Sequence, residues 1–139
     1  MAWDGWRRLF RRSDDVGRAR GQFVAERDRL LAEFFRAAAG SGKPRGLRWT
    51  ACDPEPGQRF ARDRQSGELI ALVGVTVAFE AIAGGDMEGV AAVGNLRNAT
   101  AVFFHRRGAW ATHGKAVFNL NPDEVLERFA TQYEAVDPA

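Results

Sequence analysis

Between Leu69 and Ile82 the chain carries almost no polar side chain, and no other stretch limits the fold as much. In an extended chain successive side chains point to opposite faces. Leu69, Ala71, Val73, Val75, Val77 and Phe79 then share one face, and Ile70, Leu72, Gly74, Thr76, Ala78 and Glu80 share the other. Both faces are apolar at the start, so the strand is expected at the centre of a sheet covered on both sides there. Gly74, Thr76 and Ala78 are small enough to admit a closely packed helix. The run is far shorter than the ~20 apolar residues of a transmembrane helix.

Shorter segments supply partners for such a strand. Leu47 to Cys52 and Arg59 to Asp63 read as strands, the second as an edge strand, with turns at Asp53–Gly57 and Gln65–Gly67. Glu88 to Val93, Thr100 to His105 and Trp110 to Leu120 read as three more, the last two joined by Arg106-Arg107-Gly108-Ala109. Two helices flank the sheet. Gln22 to Ala39 places Phe23, Leu30, Leu31, Phe34, Phe35 and Ala38 on one stripe and ends at Gly40-Ser41-Gly42-Lys43-Pro44. Asn121-Pro122-Asp123-Glu124 is an N-cap, a first-turn proline and a capping-box glutamate, opening a helix expected to reach Tyr133. The fold expected is α+β: an N-terminal and a C-terminal helix on a curved antiparallel sheet of about five or six strands. Its core is expected to include Leu31, Phe34, Phe35, Trp49, Val73, Val75, Val77, Phe79, Phe104, Phe118, Leu120, Leu126 and Phe129.

Charge is unevenly placed. Residues 1–48 hold twelve Lys/Arg against six Asp/Glu, whereas residues 49–139 hold eight against twelve. The basic end opens with Trp3, Trp6, Arg7, Arg8, Phe10, Arg11 and Arg12. Trp3, Trp6 and Phe10 recur at helical spacing, with arginines over much of the remainder. Ser13-Asp14-Asp15 resembles a helix stop followed by a new N-cap, and Gly17 and Gly21 weaken any helix beyond it. The chain therefore divides into a basic aromatic arm, residues 1–15, and a single α+β domain, residues 16–139. The plainest role for the arm's rings is packing on the domain or on a second copy of the chain. Its solvent-facing alternatives are a protein partner and an anionic membrane surface; nucleic acid is not expected.

Chemistry is hard to place. In a hairpin turning at Arg107-Gly108, residues whose numbers sum to about 215 face each other, so His105 opposes Trp110 and His113 opposes Val102. The two imidazoles then lie on opposite sheet faces, and no metal site is expected. Cys52, the single cysteine, has no catalytic signature around it and no disulfide partner in the chain. With no signal-peptide pattern at the start, it points to a cytoplasmic protein. Gly40-Ser41-Gly42-Lys43 follows a helix rather than a strand and lacks the phosphate-loop frame. No catalytic residue, cofactor or metal is assigned. The leading expectation is a small non-enzymatic interaction or accessory protein. The rival is a small-molecule-binding cone-like domain or enzyme with a pocket on the concave sheet face, which a deep pocket holding His105 or Asp63 with a perturbed pKa would favour.

Overall fold

A computed structural model describes residues 2–136, the side chains of 2–14, 91 and 92 excepted. In chain order the elements are α1 (Ala2–Gly40), β1 (Leu47–Pro54), β2 (Arg59–Asp63), β3 (Leu69–Ala81), a 3-10 turn (Ala91–Gly94), β4 (Arg97–Arg106), β5 (Ala109–Ala111), β6 (Ala116–Phe118), α2 (Pro122–Arg128) and β7 (Tyr133–Ala135). All pairings are antiparallel and the sheet is α+β in class, as its sequence implies.

The central strand is β3. β4 pairs along one edge from Ile70 to Val77. The other edge is shared end to end by β1, opposite Val75 to Ala81, and β2, opposite Leu69 to Leu72. β5 and β6 divide the outer edge of β4 in the same way. Breaks separate β1 from β2 and β5 from β6; the sheet has seven strands, against the five or six expected, because the second break splits the Trp110–Leu120 segment and β7 joins β2, while the segment from Glu88 to Val93 adds none. At the first break Pro54 and Pro56 lack the N–H a ladder needs. At the second, Gly114 has φ +79° and lies against the end of α1. A Cβ there would stand 2.5 Å from Ala38 N and 2.7 Å from the Ala37 carbonyl carbon, closer than any side chain tolerates.

Two hydrophobic layers follow from the alternation along β3. Toward α1, Phe23, Leu30, Phe34 and Ala38 pack on Trp49, Phe60, Val73, Val75, Val77, Phe79, Phe103 and Trp110. Toward α2, Ile70, Leu72, Val102 and Val125 are buried with Tyr133, and Phe104, Leu120, Leu126 and Phe129 pack around them. The helix expected near Gly74 is present: a Cβ on Gly74 would meet Pro122 Cδ at 3.4 Å and Glu55 Cγ at 3.3 Å.

Four expectations need correction. The helix stop at Ser13–Asp15 is absent, and α1 is one helix of 39 residues. Gly17 and Gly21 each cost about 1 kcal/mol in a helix, a local bias outweighed by burial of Ala19 and Phe23 on the sheet. Glu88 to Val93 forms turns and the 3-10 segment instead of a strand, with positive φ at Gly84 and Gly89. Helix α2 ends at Arg128, and Tyr133 belongs to β7, buried as expected but within the sheet. β2 is consequently an interior strand, flanked by β3 and β7.

Candidate functional site

The β4–β5 hairpin carries the candidate site. His105 pairs with Trp110, in the register read from the turn. Arg107 and Gly108 both have positive φ, +54° and +79°. Two-residue hairpins with this handedness favour Asn-Gly or Asp-Gly, so an arginine is an unusual occupant. The hairpin docks on the middle of α1 through three polar contacts. Trp110 Nε1 donates to Ala19 O at 2.7 Å, and Gln22 Nε2 donates to Gly108 O at 3.1 Å. The second bond fixes the amide orientation, since a carbonyl can only accept. Gln22 Oε1 then accepts from His105 Nε2 at 3.2 Å. Burial lowers the His105 pKa against the opposing pull of Asp15 and Glu26. The imidazole is therefore neutral at pH 7, with its proton on Nε2.

The β2–β3 hairpin forms the other wall. Asp63 Oδ1 accepts from the backbone N–H groups of Gln65 and Ser66, both at 2.9 Å. Those bonds, Ser66 first, lower the Asp63 pKa. Arg62 NH1 donates to Gly67 O at 2.8 Å. Glu68 takes a bidentate grip from Arg106, at 2.5 and 3.1 Å, and that pairing lowers its pKa. The Arg106 guanidinium also lies 4.5 Å over the Phe104 ring. Between the hairpins and α1 is a cleft of about 560 Å³ with Arg18, Arg62, Arg106 and Arg107 on its walls and His105 in its lining, the one observation here that favours the small-molecule rival.

Two further clefts are present. One of about 530 Å³ lies between the β1–β2 break and the start of α2, with Glu55, Gln58, Arg59, Asn98 and Asn121 around it. Arg59 there is paired to Asp123. The other, about 320 Å³ and more apolar, lies beside Phe79, Met87, Val93 and Phe118.

The residues singled out in the sequence are scattered. The side chains of Trp3, Trp6, Arg7, Arg8, Phe10, Arg11 and Arg12 lie outside the described residues. His105 faces α1, whereas His113 stacks at 4.7 Å on Phe104, which packs in the α2 layer. Cys52 pairs with Val77, and Phe104, beside His105, pairs with Ile70. Those positions are separated by about 23 Å along β3 at ~3.3 Å per residue. Burial pushes the Cys52 thiol up to about 11, so it is protonated and a poor nucleophile at pH 7. Among the described residues no three His, Cys, Asp or Glu side chains are grouped to hold a metal ion. Sequence reasoning missed Arg18, Gln22 and Arg62 as neighbours of His105. The one local signal was Arg-Gly where a hairpin turn prefers Asn-Gly. Comparison with protein-family models, with curated proteins and with solved structures returns no match for the chain.

Proposed function

We propose that this is a small non-enzymatic interaction protein of the cytoplasm, with a basic aromatic arm at residues 1–15 on an α+β domain at 16–139. The observation that carries the reading is the filled space between α1 and the sheet. Phe23 meets Phe60, Phe103 and Trp110 edge-on at centroid distances of 5.7, 5.3 and 5.1 Å. Trp49 closes the other end against Phe34 and Phe79. A ligand-binding cone needs a hollow at that place, and here it holds packed rings. The groups most able to do chemistry also point away from catalysis. His105 is committed to Gln22 and Cys52 is protonated. Among the described residues no helix is long and apolar enough to cross a membrane.

The partner expected is another protein, recruited through the arm. Affinity purification of the full chain and of a chain lacking residues 1–15 tests this directly. Partners recovered by the full chain and lost by the truncation support it. Recovery of the same partners by both removes the arm from the account. An anionic membrane is the competing occupant, through Trp3, Trp6 and Phe10 inserted beside Arg7, Arg8, Arg11 and Arg12. Salt-sensitive co-sedimentation with anionic vesicles, abolished in a Trp3→Ser/Trp6→Ser variant, would replace the protein partner with a lipid surface.

A further inference from the structure

The geometry points to a second binding function: the cleft between α1 and the two hairpins holds a small organic phosphate of the diphosphate class. This goes beyond the recruiting arm, and the two stand or fall separately.

Charge is the first argument. Four arginines line the cleft against two carboxylates, Asp15 and Glu68. Glu68 is already neutralised, because both of its oxygens accept from Arg106. Arg18 and Arg107 have no hydrogen bond or ion pair to any of the described residues. Arg18, Arg62 and Arg107 then face one concavity against the single carboxylate of Asp15, which leaves an excess of positive charge. Like charges held together without an anion repel, and a doubly charged oxyanion relieves that repulsion.

Geometry is the second. Arg62 is held through NH1 by Gly67 O, and the remaining donors of its fork stay available. Arg106 is engaged by both Glu68 oxygens over the Phe104 ring, on the α2 side of the sheet, so the open forks of the cleft are those of Arg18, Arg62 and Arg107. Guanidinium forks match the oxygens of phosphate in pairs, and forks already held in place lose little freedom on binding. The volume of about 560 Å³ suits a small molecule. Among the described residues that line the cleft there is no Phe, Tyr or Trp, so those residues offer no stacking platform for a nucleic-acid base. Recognition would run through the phosphates.

Backbone strain is the third and independent observation. Arg107 stands at φ +54°, a conformation disfavoured for an L residue other than Asn or Asp. Gly, Asn or Asp would make the same turn with less strain. What arginine adds at that position is a cation at the mouth of the cleft.

Isothermal titration of the full chain with pyrophosphate, against sodium chloride at matched ionic strength, tests the site. Pyrophosphate is expected to bind and to raise the melting temperature. Arg107→Gly and Arg18→Gln are each expected to weaken binding about tenfold or more. Arg36→Gln, about 27 Å further along α1 at ~1.5 Å per residue, should leave it unchanged. Arg107→Gly is also expected to keep or raise the ligand-free melting temperature, because glycine accepts the positive φ. A loss of binding in that variant then reports the lost cation and not a lost fold. No heat at millimolar pyrophosphate overturns the proposal. So does equal weakening by Arg36→Gln, or indifference to both cleft variants. Vesicles containing phosphatidylglycerol form the second arm. Arg107-dependent vesicle binding without pyrophosphate binding would assign the site to a lipid headgroup and overturn the small-molecule occupant.

Discussion

The two faces of the sheet are covered by very different means. One lies under α1, a helix of 39 residues whose buried side chains include Phe23, Leu30 and Phe34. The other lies under α2, seven residues long with Val125 as its one fully buried side chain. The long helix relies on packed rings, to which Ala19, Gln22 and Arg27 add polar contacts. The short helix relies on local chemistry at its first turn. Asn121 Oδ1 accepts from Glu124 N at 2.8 Å, and Glu124 Oε1 accepts from Asn121 N at 3.0 Å. Isolated helices of one or two turns are unstable in water, so capping compensates where burial is scarce. Where tertiary packing is extensive, intrinsic propensity matters little, and two glycines pass unnoticed inside α1.

The largest effect that would break this comparison is expected at the ring cluster. Phe23→Ala should lose about 3 to 5 kcal/mol in urea melts, since a fully buried ring leaves a large cavity. A loss below 1 kcal/mol would mean that the α1 face does not depend on its rings. Gly114→Ala comes next. Its new methyl group meets the backbone of α1 and a positive φ at once, so about 2 to 3 kcal/mol should be lost. If thermal melting is unmoved, the helix end does not press on the β5–β6 break. On the other face Val125→Ala should remove about 2 kcal/mol. Asn121→Ala should remove about 1 kcal/mol, with the loss confined to α2 when read by amide exchange. Protection lost across the whole sheet in that variant would show that the two faces are not separable.

The smallest effect concerns pH. The folded pKa of His105 is depressed by burial. The unfolded chain therefore binds this proton more readily than the folded one. The stability His105 contributes is present above the unfolded pKa of about 6.5 and is lost as pH falls through the lower folded value. Melts at pH 7.5 and 5.5 should show a decline that His105→Gln reduces. An unchanged slope in that variant would place the acid sensitivity elsewhere.

The sequence showed the central layer more clearly than its borders. Strand β3, its two faces and the His105–Trp110 register followed from alternation and one turn, because those signals lie within a few residues. The end of α1 and the capping box at Asn121 were legible for the same reason. The strand β7 was hidden because Tyr133 and Val125 also satisfy helical spacing, and only pairing with Asp63 and Arg62 decides between them. The break between β5 and β6 was hidden because it depends on the distant backbone of Ala37 and Ala38. The cleft was the least legible feature. Its walls come from Arg18, Arg62 and Arg107, brought together from three segments by sheet topology and by no local pattern.

The bond from Trp110 Nε1 to Ala19 O joins residues 91 apart in sequence. During synthesis Phe23 emerges early, and the indole that covers it emerges some 87 residues later. At ~5 to 20 residues per second that interval is on the order of 5 to 20 s. For that time the apolar stripe of α1 has no complete sheet to rest on. Until then Phe23 lacks one of the three rings that meet it edge-on, and β6 and β7 are still to be made.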